Sequence, residues 1–373
     1  WPTWSAHPEL MTSPTEPSPL SASASQASGQ PASPVLLSQP LFDEVHDWLA
    51  SQGPLWRPAG DTIWHLDDWT RLLAGSPLAQ AQGLLTTPTE RVDADLLDLL
   101  PHLRVISQMA VGYNNIDLQA CAERGIAVAH TPDILTETTA DFAMAMVLGA
   151  ARGIGAAERQ LRAGAWTQWA PTGFLGQDVH GAILGIVGMG RIGQALARRP
   201  QLGFGMRVQY HQRNPLPASG MPDPAQAPVW LPLDELLRTS DHVVLLVPYG
   251  PGTHHLLDES RLRSMKPTAT LSNLARGGVV DDEALARVLA DGHLAGAALD
   301  VFEGEPQVHP ALLQQERVML TPHMASASHA TRRAMAWMAA RQLQAGLMAM
   351  SGGTSDGPPV RWVPGAQPKR PAG

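Results

Sequence analysis

The chain has 373 residues, 44% hydrophobic and 16% charged, with a formal charge of −8, enough to bury the cores of about two domains. This acidic balance argues against a general nucleic-acid or acidic-membrane binder, so an anionic ligand would need local arginines or backbone donors. A single cysteine, Cys121, excludes an intrachain disulfide framework and a cysteine-rich zinc site. No run of 18 apolar residues offers a membrane span, and the first residues lack the pattern of a secretion signal, so the expected compartment is the cytoplasm.

Residues 1–33 contain SASASQASGQPASP, which cannot bury enough apolar surface to offset the entropy of ordering. They read as a disordered tail, and residues 351–373 read the same way. Between them, strand and helix patterns alternate. Pro34–Leu37, Gly83–Thr87, Arg104–Val111 and Gly125–His130 read as strands, and Asp93–Leu100 as a helix. Leu135–Arg152 is a long helix candidate, with Thr136 as its cap and Glu137 in its first turn. It is apolar nearly all round from Phe142 to Ala151, as suits a buried core helix or one between domains or subunits. Alternation of this kind predicts an α/β protein with parallel sheets and helices on both faces.

Ala182–Val187 is an apolar strand that runs into Gly188-Met189-Gly190-Arg191-Ile192-Gly193 and then a helix. A G-x-G-x-x-G in that setting is the pattern of a dinucleotide site. The glycines permit the turn, the approach of a pyrophosphate and helix packing, while free N–H groups at the helix start bind phosphate. Pro200 is expected to end or kink this helix at Arg199. The next strand is Arg207–His211, after which a cofactor with a free ribose 2′-hydroxyl usually meets an acid. His211, Gln212, Arg213 and Asn214 offer none. Arg213 can pair with a 2′-phosphate, so NADP(H) is favoured, with NAD(H) remaining possible.

Further apolar strands stop at Pro248, Asn273 and Asp300, on the side where open parallel sheets bind ligands. Arg276 lies just past one end, where a guanidinium can fork onto a carboxylate. Glu305 follows another strand end and His323 a third. Reduction of a ketone by hydride needs a proton donor, a role suited to histidine held by a carboxylate. The remaining histidines, among them His7, His254, His255 and His309, have no metal-ligand spacing, so no metal is expected. Neither a nucleophile elbow nor a P-loop is present.

The segments LGIVGMGRIGQALARR, LARGGVVDDEAL, GHLAGAALDVFEGEP and LTPHMASAS resemble the D-isomer-specific 2-hydroxyacid dehydrogenases. So do VGYNNIDLQACAERGIAVAHTPDILTETTADFAMAM and WTQWAPTGFLGQDVHG, and the likeness spans roughly residues 35–350 in family order. Within the family the chain is most similar to the bacterial glyoxylate/hydroxypyruvate (2-ketogluconate) reductases. The resemblance implies two Rossmann-like domains, a discontinuous substrate domain (34–133 plus 325–350) and a dinucleotide-binding domain (134–324), with the active site in the cleft between them. It implies Arg276 as the substrate arginine, His323 as the acid/base and Glu305, rather than Glu303, as its partner. Backbone N–H groups of Ala110-Val111-Gly112 would hold the substrate carboxylate, and Asp300 would contact the nicotinamide amide. Pro248 joins Gln212, Arg213 and the glycine loop in the expected cofactor set. Trp169 matches an aromatic that reaches the neighbouring subunit's site, which implies a homodimer.

The implied reaction is NADPH-preferring reduction of glyoxylate, hydroxypyruvate or 2-ketogluconate to a D-2-hydroxy acid. Asn114, Leu274 and Met324-Ala325 depart from common family residues without removing a proton donor or an anion clamp. Glu305, where formate dehydrogenases have glutamine, argues against formate. Phosphoglycerate or phosphite dehydrogenation and a dinucleotide-sensing corepressor are the alternative readings.

Overall fold

The computed structural model describes residues 34–60, 62–217, 227–353 and 357–368. The segment 1–33, expected to be a tail, lies outside them. The first elements are β1 (Val35–Leu37), α1 (Asp43–Gln52), β2 (Leu55–Trp56), α2 (Leu66–Leu73), β3 (Gly83–Thr86), α3 (Ala94–Asp98), β4 (Val105–Gln108), α4 (Leu118–Glu123) and β5 (Ala127–His130). Two helices follow, α5 (Thr136–Arg152) and α6 (Ile154–Arg162). Then come β6 (Ile183–Val187), α7 (Arg191–Phe204), β7 (Arg207–His211), β8 (Val229–Trp230), α8 (Leu233–Thr239), β9 (His242–Leu245) and α9 (Glu259–Ser264). The last are β10 (Thr270–Asn273), α10 (Asp282–Ala290), β11 (Gly296–Leu299), α11 (Pro310–Leu313), β12 (Val318–Leu320) and α12 (His329–Met350).

The strands form two sheets. One has five strands in the order β2-β1-β3-β4-β5, the other seven in the order β12-β11-β10-β9-β6-β7-β8. Every pairing within them is parallel. The inner strands β3, β4, β9, β10 and β11 are buried along their whole length, which explains why they read as continuous apolar runs. In the larger sheet the order reverses between β6 and β9, which opens a crevice at their C-terminal ends.

Helix α5 buries nine residues, Thr139 to Ala151, against α7 and the larger sheet. Helix α12 returns to the smaller sheet. Its Ala336, Ala339, Ala340 and Leu343 pack on Val35, Leu37, Leu85 and Val105. Small residues on that face let the helix approach closely enough for Ser107 Oγ to donate to the Ala339 carbonyl (2.8 Å).

Three local expectations differ from the structure. Of the two outcomes expected at Pro200, an end at Arg199 does not occur, because α7 continues to Phe204 and closes at Gly205 in the left-handed conformation. Arg199 Nη1 donates to the Ala195 carbonyl (2.6 Å) beside the turn that loses an amide donor, and buried packing holds Pro200 in place. Thr136 is the first residue of α5 rather than its cap, a place taken by Leu135 without a side-chain bond. Lastly, residues 357–368 are not a free tail. Val363 N–H donates to the Val128 carbonyl (2.8 Å), Val128 N–H to Ala366 (2.9 Å) and His130 N–H to Arg361 (3.0 Å). The segment covers the open edge at β5 and buries Val363 and Ala366. Among the described residues no single helix is long and apolar enough to cross a membrane.

Candidate active site

The C-terminal ends of both sheets face a cleft of about 1240 Å³. From the smaller sheet it takes Thr87, Met109 to Asn114 and His130, and from the larger one Gly190 to Gly193, Pro248, Arg276, Asp300 and His323. Arg276 reaches it because the loop after β10 is tied down by Asn273. Asn273 Oδ1 accepts from Ala275 N–H (3.1 Å), and its Nδ2 donates to the Arg276 carbonyl (3.3 Å). Any Cβ on the neighbouring Gly277 would collide with the Phe302 carbonyl, so glycine lets this loop lie backbone to backbone on the loop after β11. The guanidinium donates through Nη1 to the Ala275 carbonyl (2.7 Å) and through Nε to Asn114 Oδ1 (3.2 Å). Nη2 is left lying against Gly112, where a Cβ would strike it. Burial lowers the pKa of Arg276 from its ordinary value, partly countered by Glu305. The group still stays a cation at any working pH.

His323 Nδ1 lies 2.8 Å from Glu305 Oε2, and Glu305 Oε1 accepts from Phe302 N–H (3.0 Å). Burial opposes ionisation of Glu305. The His323 ring, the Phe302 amide and Arg276 outweigh it and hold the carboxyl below its ordinary range. With Nδ1 committed to Glu305, Nε2 is the ring nitrogen available to a ligand. Glu303 does not join this group. It pairs with His255 Nε2 (3.1 Å), while His254 Nδ1 meets the Tyr249 hydroxyl (3.2 Å).

The turn that presents His323 is built by Asp300. Its Oδ1 accepts from Thr321 Oγ1 (2.6 Å) and Met324 N–H (2.8 Å), and its Oδ2 from Ala325 N–H (2.9 Å). His323 N–H donates to the Asp300 carbonyl (2.9 Å). These bonds hold His323 at φ 47°, a left-handed conformation that a β-carbon disfavours. Burial pushes the Asp300 carboxyl up from its ordinary value against those donors. Asp300 therefore shapes the loop as well as lining the cleft.

Across the cleft, neither Val111 nor Gly112 donates its N–H to any acceptor among the described residues. Two unpaired amides beside a guanidinium make an anion-binding concavity. Local donors thus supply the positive field that the acidic chain as a whole lacks.

In the glycine loop, Gly188 has φ 106°, and a Cβ there would come within 2.7 Å of Leu246 backbone atoms. Gly190 opens on free space, and a Cβ on Gly193 would meet the Gly188 carbonyl. Met189 is buried in the core. Arg191 Nε pairs with Asp133 (2.8 Å) at the end of the first sheet's last loop. Gln212 and Arg213 follow β7 outside the cleft lining. The Gln212 carbonyl accepts from Trp230 Nε1 (2.9 Å), and Arg213 is exposed. Trp169 is 78% exposed and does not reach the cleft of its own chain.

Three cleft residues received no role from the sequence, although Asn114 stood out as a departure from common family residues. Arg332, on the first turn of α12, donates to Ser326 Oγ (2.9 Å) and lines the cleft. Asn114 orients Arg276, and His130 faces the Val111 carbonyl (2.9 Å). No local pattern marks any of them, because each depends on a partner from another loop.

Residues 144–325 match the D-isomer specific 2-hydroxyacid dehydrogenase, NAD binding domain. The chain is 47% identical over 265 residues to a glyoxylate reductase of Thermococcus onnurineus, covering 70% of this chain and 78% of that protein. It is 44% identical over 259 residues to glyoxylate/hydroxypyruvate reductase B of Klebsiella pneumoniae, covering 69% and 79%. The NADPH-dependent glyoxylate/hydroxypyruvate reductase of Sinorhizobium meliloti, solved with NADP and malonate, superposes with a TM-score of 0.76. That match has 31% identity and covers 91% of this chain and 99% of the other. Sequence and architecture agree along most of the described chain: it belongs to the D-isomer-specific 2-hydroxyacid dehydrogenase family.

Proposed function

We propose that the chain reduces small 2-oxo acids, glyoxylate and hydroxypyruvate first among them, to D-2-hydroxy acids with a nicotinamide dinucleotide. The observation that carries this reading is the His323–Glu305 pair on a cleft that also holds Arg276 and the unpaired Val111 and Gly112 amides. A cofactor pyrophosphate fits the open ground over Gly190 at the start of α7. When bound, the dihydronicotinamide supplies a hydride to the substrate's carbonyl carbon. Arg276 Nη2 and the two amides hold the substrate carboxylate, which fixes the keto group's direction. His323 Nε2 donates its proton to the carbonyl oxygen as that oxygen gains charge. Glu305 holds Nδ1 and so aims Nε2 at the substrate. Two electrons and one hydrogen arrive as hydride, and the second hydrogen comes from His323.

We further infer that two units close on the substrate and exclude water, residues 34–133 with 325–350 and residues 134–324. Met189 and Pro248 shape the phosphate side, and Asp300 offers the remaining lone pair of Oδ2 to the nicotinamide amide. Gln212 and Arg213 sit where the adenosine ribose would lie, and the absence of an acid there favours NADP(H). Similarity to a relative described as NADPH-dependent supports the same preference. The exposed Trp169 fits a homodimer in which it reaches the partner's cleft.

The test is a paired assay of glyoxylate, hydroxypyruvate and 2-ketogluconate, each with NADPH and NADH. The proposal expects turnover of the first two with a lower KM for NADPH, and it fails if no 2-oxo acid is reduced. Arg213→Ala should raise the NADPH KM about tenfold and leave NADH within twofold, since a charge-assisted bond contributes about 1.5–3 kcal/mol. Equal effects on both cofactors would remove Arg213 from the account.

A further inference from the structure

We propose that His130 is a positioning residue that turns the Gly112 amide toward the substrate carboxylate. The inference rests on the 2-oxo acid reading above and assigns a determinant of substrate affinity within that site. His130 is the last residue of β5, half-buried on the cleft wall. Its Nδ1 lies 2.9 Å from the Val111 carbonyl oxygen. That oxygen can only accept, so Nδ1 carries a proton and donates. The Val111 carbonyl and the Gly112 N–H belong to one planar trans peptide and point in opposite directions. A donor that draws the carbonyl back toward β5 therefore turns the N–H outward, to the side where Arg276 Nη2 lies against Gly112.

The neighbouring peptides are tied in the same sense. Thr131 N–H donates to the Ala110 carbonyl (2.8 Å), and Gln108 Nε2 reaches the Gly112 carbonyl at 3.3 Å. Three successive carbonyls are thus anchored behind the loop. The Gln108 contact is long and shared with Asn115 Oδ1 (2.9 Å), whereas the His130 bond is short and acts on the peptide that bears the Gly112 N–H. The ring itself stands edge-on to Tyr113, with centroids 5.6 Å apart and planes at 81°. Without the His130 donor, nothing else among the described residues holds the Val111 carbonyl. A rotated peptide would set that carbonyl, rather than the N–H, against the substrate's negative charge.

Two substitutions separate donation from mere packing. His130→Leu has a branch of similar shape and no donor. His130→Asn places an amide nitrogen on the same side-chain atom that bears Nδ1, so it can restore the bond. The readouts are KM for glyoxylate, KM for NADPH, kcat, and inhibition by oxalate, which presents a carboxylate without a reducible carbonyl. His130→Leu should raise the glyoxylate KM and the oxalate inhibition constant about tenfold, the size of one hydrogen bond to a charged group. Both kcat and the NADPH KM should stay within twofold, because the lost contact binds ground and transition states alike. His130→Asn should lie within about threefold of the unaltered protein. An unchanged glyoxylate KM in His130→Leu, or equal damage in His130→Asn, overturns the proposal. If the Leu variant does not fold by thermal melting, His130→Ser, too short to reach the carbonyl, takes its place with the same expected and overturning results. Arg276→Lys is assayed alongside. If it leaves oxalate inhibition unchanged, the carboxylate-binding reading itself fails. If it weakens oxalate while the His130 variants do not, only the role of His130 is lost.

Discussion

Replacing Arg276 by lysine keeps a positive charge at the cleft and removes the fork. The guanidinium spends Nη1 on the Ala275 carbonyl and Nε on Asn114, and this fixes Nη2 beside Gly112. A lysine ammonium is a point charge on a flexible stem, and it cannot reproduce both anchors while holding a carboxylate. The loss is therefore about one charge-assisted hydrogen bond, roughly 1.5–3 kcal/mol, or about 10–150-fold. Arg276→Ala also removes the charge. At an effective dielectric near 20 and a separation near 4 Å that is worth about 4 kcal/mol, so with the lost hydrogen bond the total loss should be roughly 10⁴–10⁵-fold. The assay is kcat/KM for glyoxylate at saturating NADPH, with cofactor affinity measured separately by quenching of protein fluorescence. Cofactor affinity should stay within twofold in both variants. A lysine variant within threefold of the unaltered protein, or an equal loss of cofactor affinity, would refute the role assigned to Nη2.

Gly112→Ala should raise the glyoxylate KM about 10–100-fold with little effect on NADPH, because its Cβ would displace Arg276 Nη2. Steady-state kinetics with each substrate varied in turn checks it. Glu305→Gln tests the pair from the other side. The Glu305 carboxyl is held below its ordinary value near 4.5, so its contribution to stability is fully present above that value and fades as pH falls through the lower folded value. The variant should melt about 1–3 °C lower near pH 7, since the pair is partly exposed, and the gap should close in acid. Melting curves from pH 7 down to pH 3 show whether it does.

Much of the larger sheet was legible because its strands are buried on both faces and end in turn residues. Ala182–Val187 before the glycines overlaps the observed β6 to within one residue, and Arg207–His211 after the helix coincides with β7. Helix α12 carried a weaker signal. Its buried face includes Thr331, Gln342 and Gly346 beside three alanines, and Met348 is exposed, so the apolar stripe is blurred. The C-terminal strap was hidden by composition. Val363 and Ala366 are its buried residues, and the rest of 357–368 is glycine, proline or polar apart from Val360 and Trp362. Pro200 shows tertiary packing overriding a local rule.

The identities of Arg276, Glu305 and His323 could be picked out from strand ends and family likeness, but their meeting could not be read from spacing. It depends on the close approach at Gly277 and on the Asp300 bonds that hold the His323 turn. For the same reason His130 and Asn114 carry no signal of their own, since each acts on an atom of a different loop.

The most direct measurement is the turnover of His323→Ala with glyoxylate and NADPH, followed by loss of nicotinamide absorbance, with NADPH affinity measured on the same preparation. Loss of a positioned proton donor should lower kcat about 10²–10⁴-fold while NADPH binding stays within about twofold. Near-normal turnover in that variant would contradict proton donation by His323.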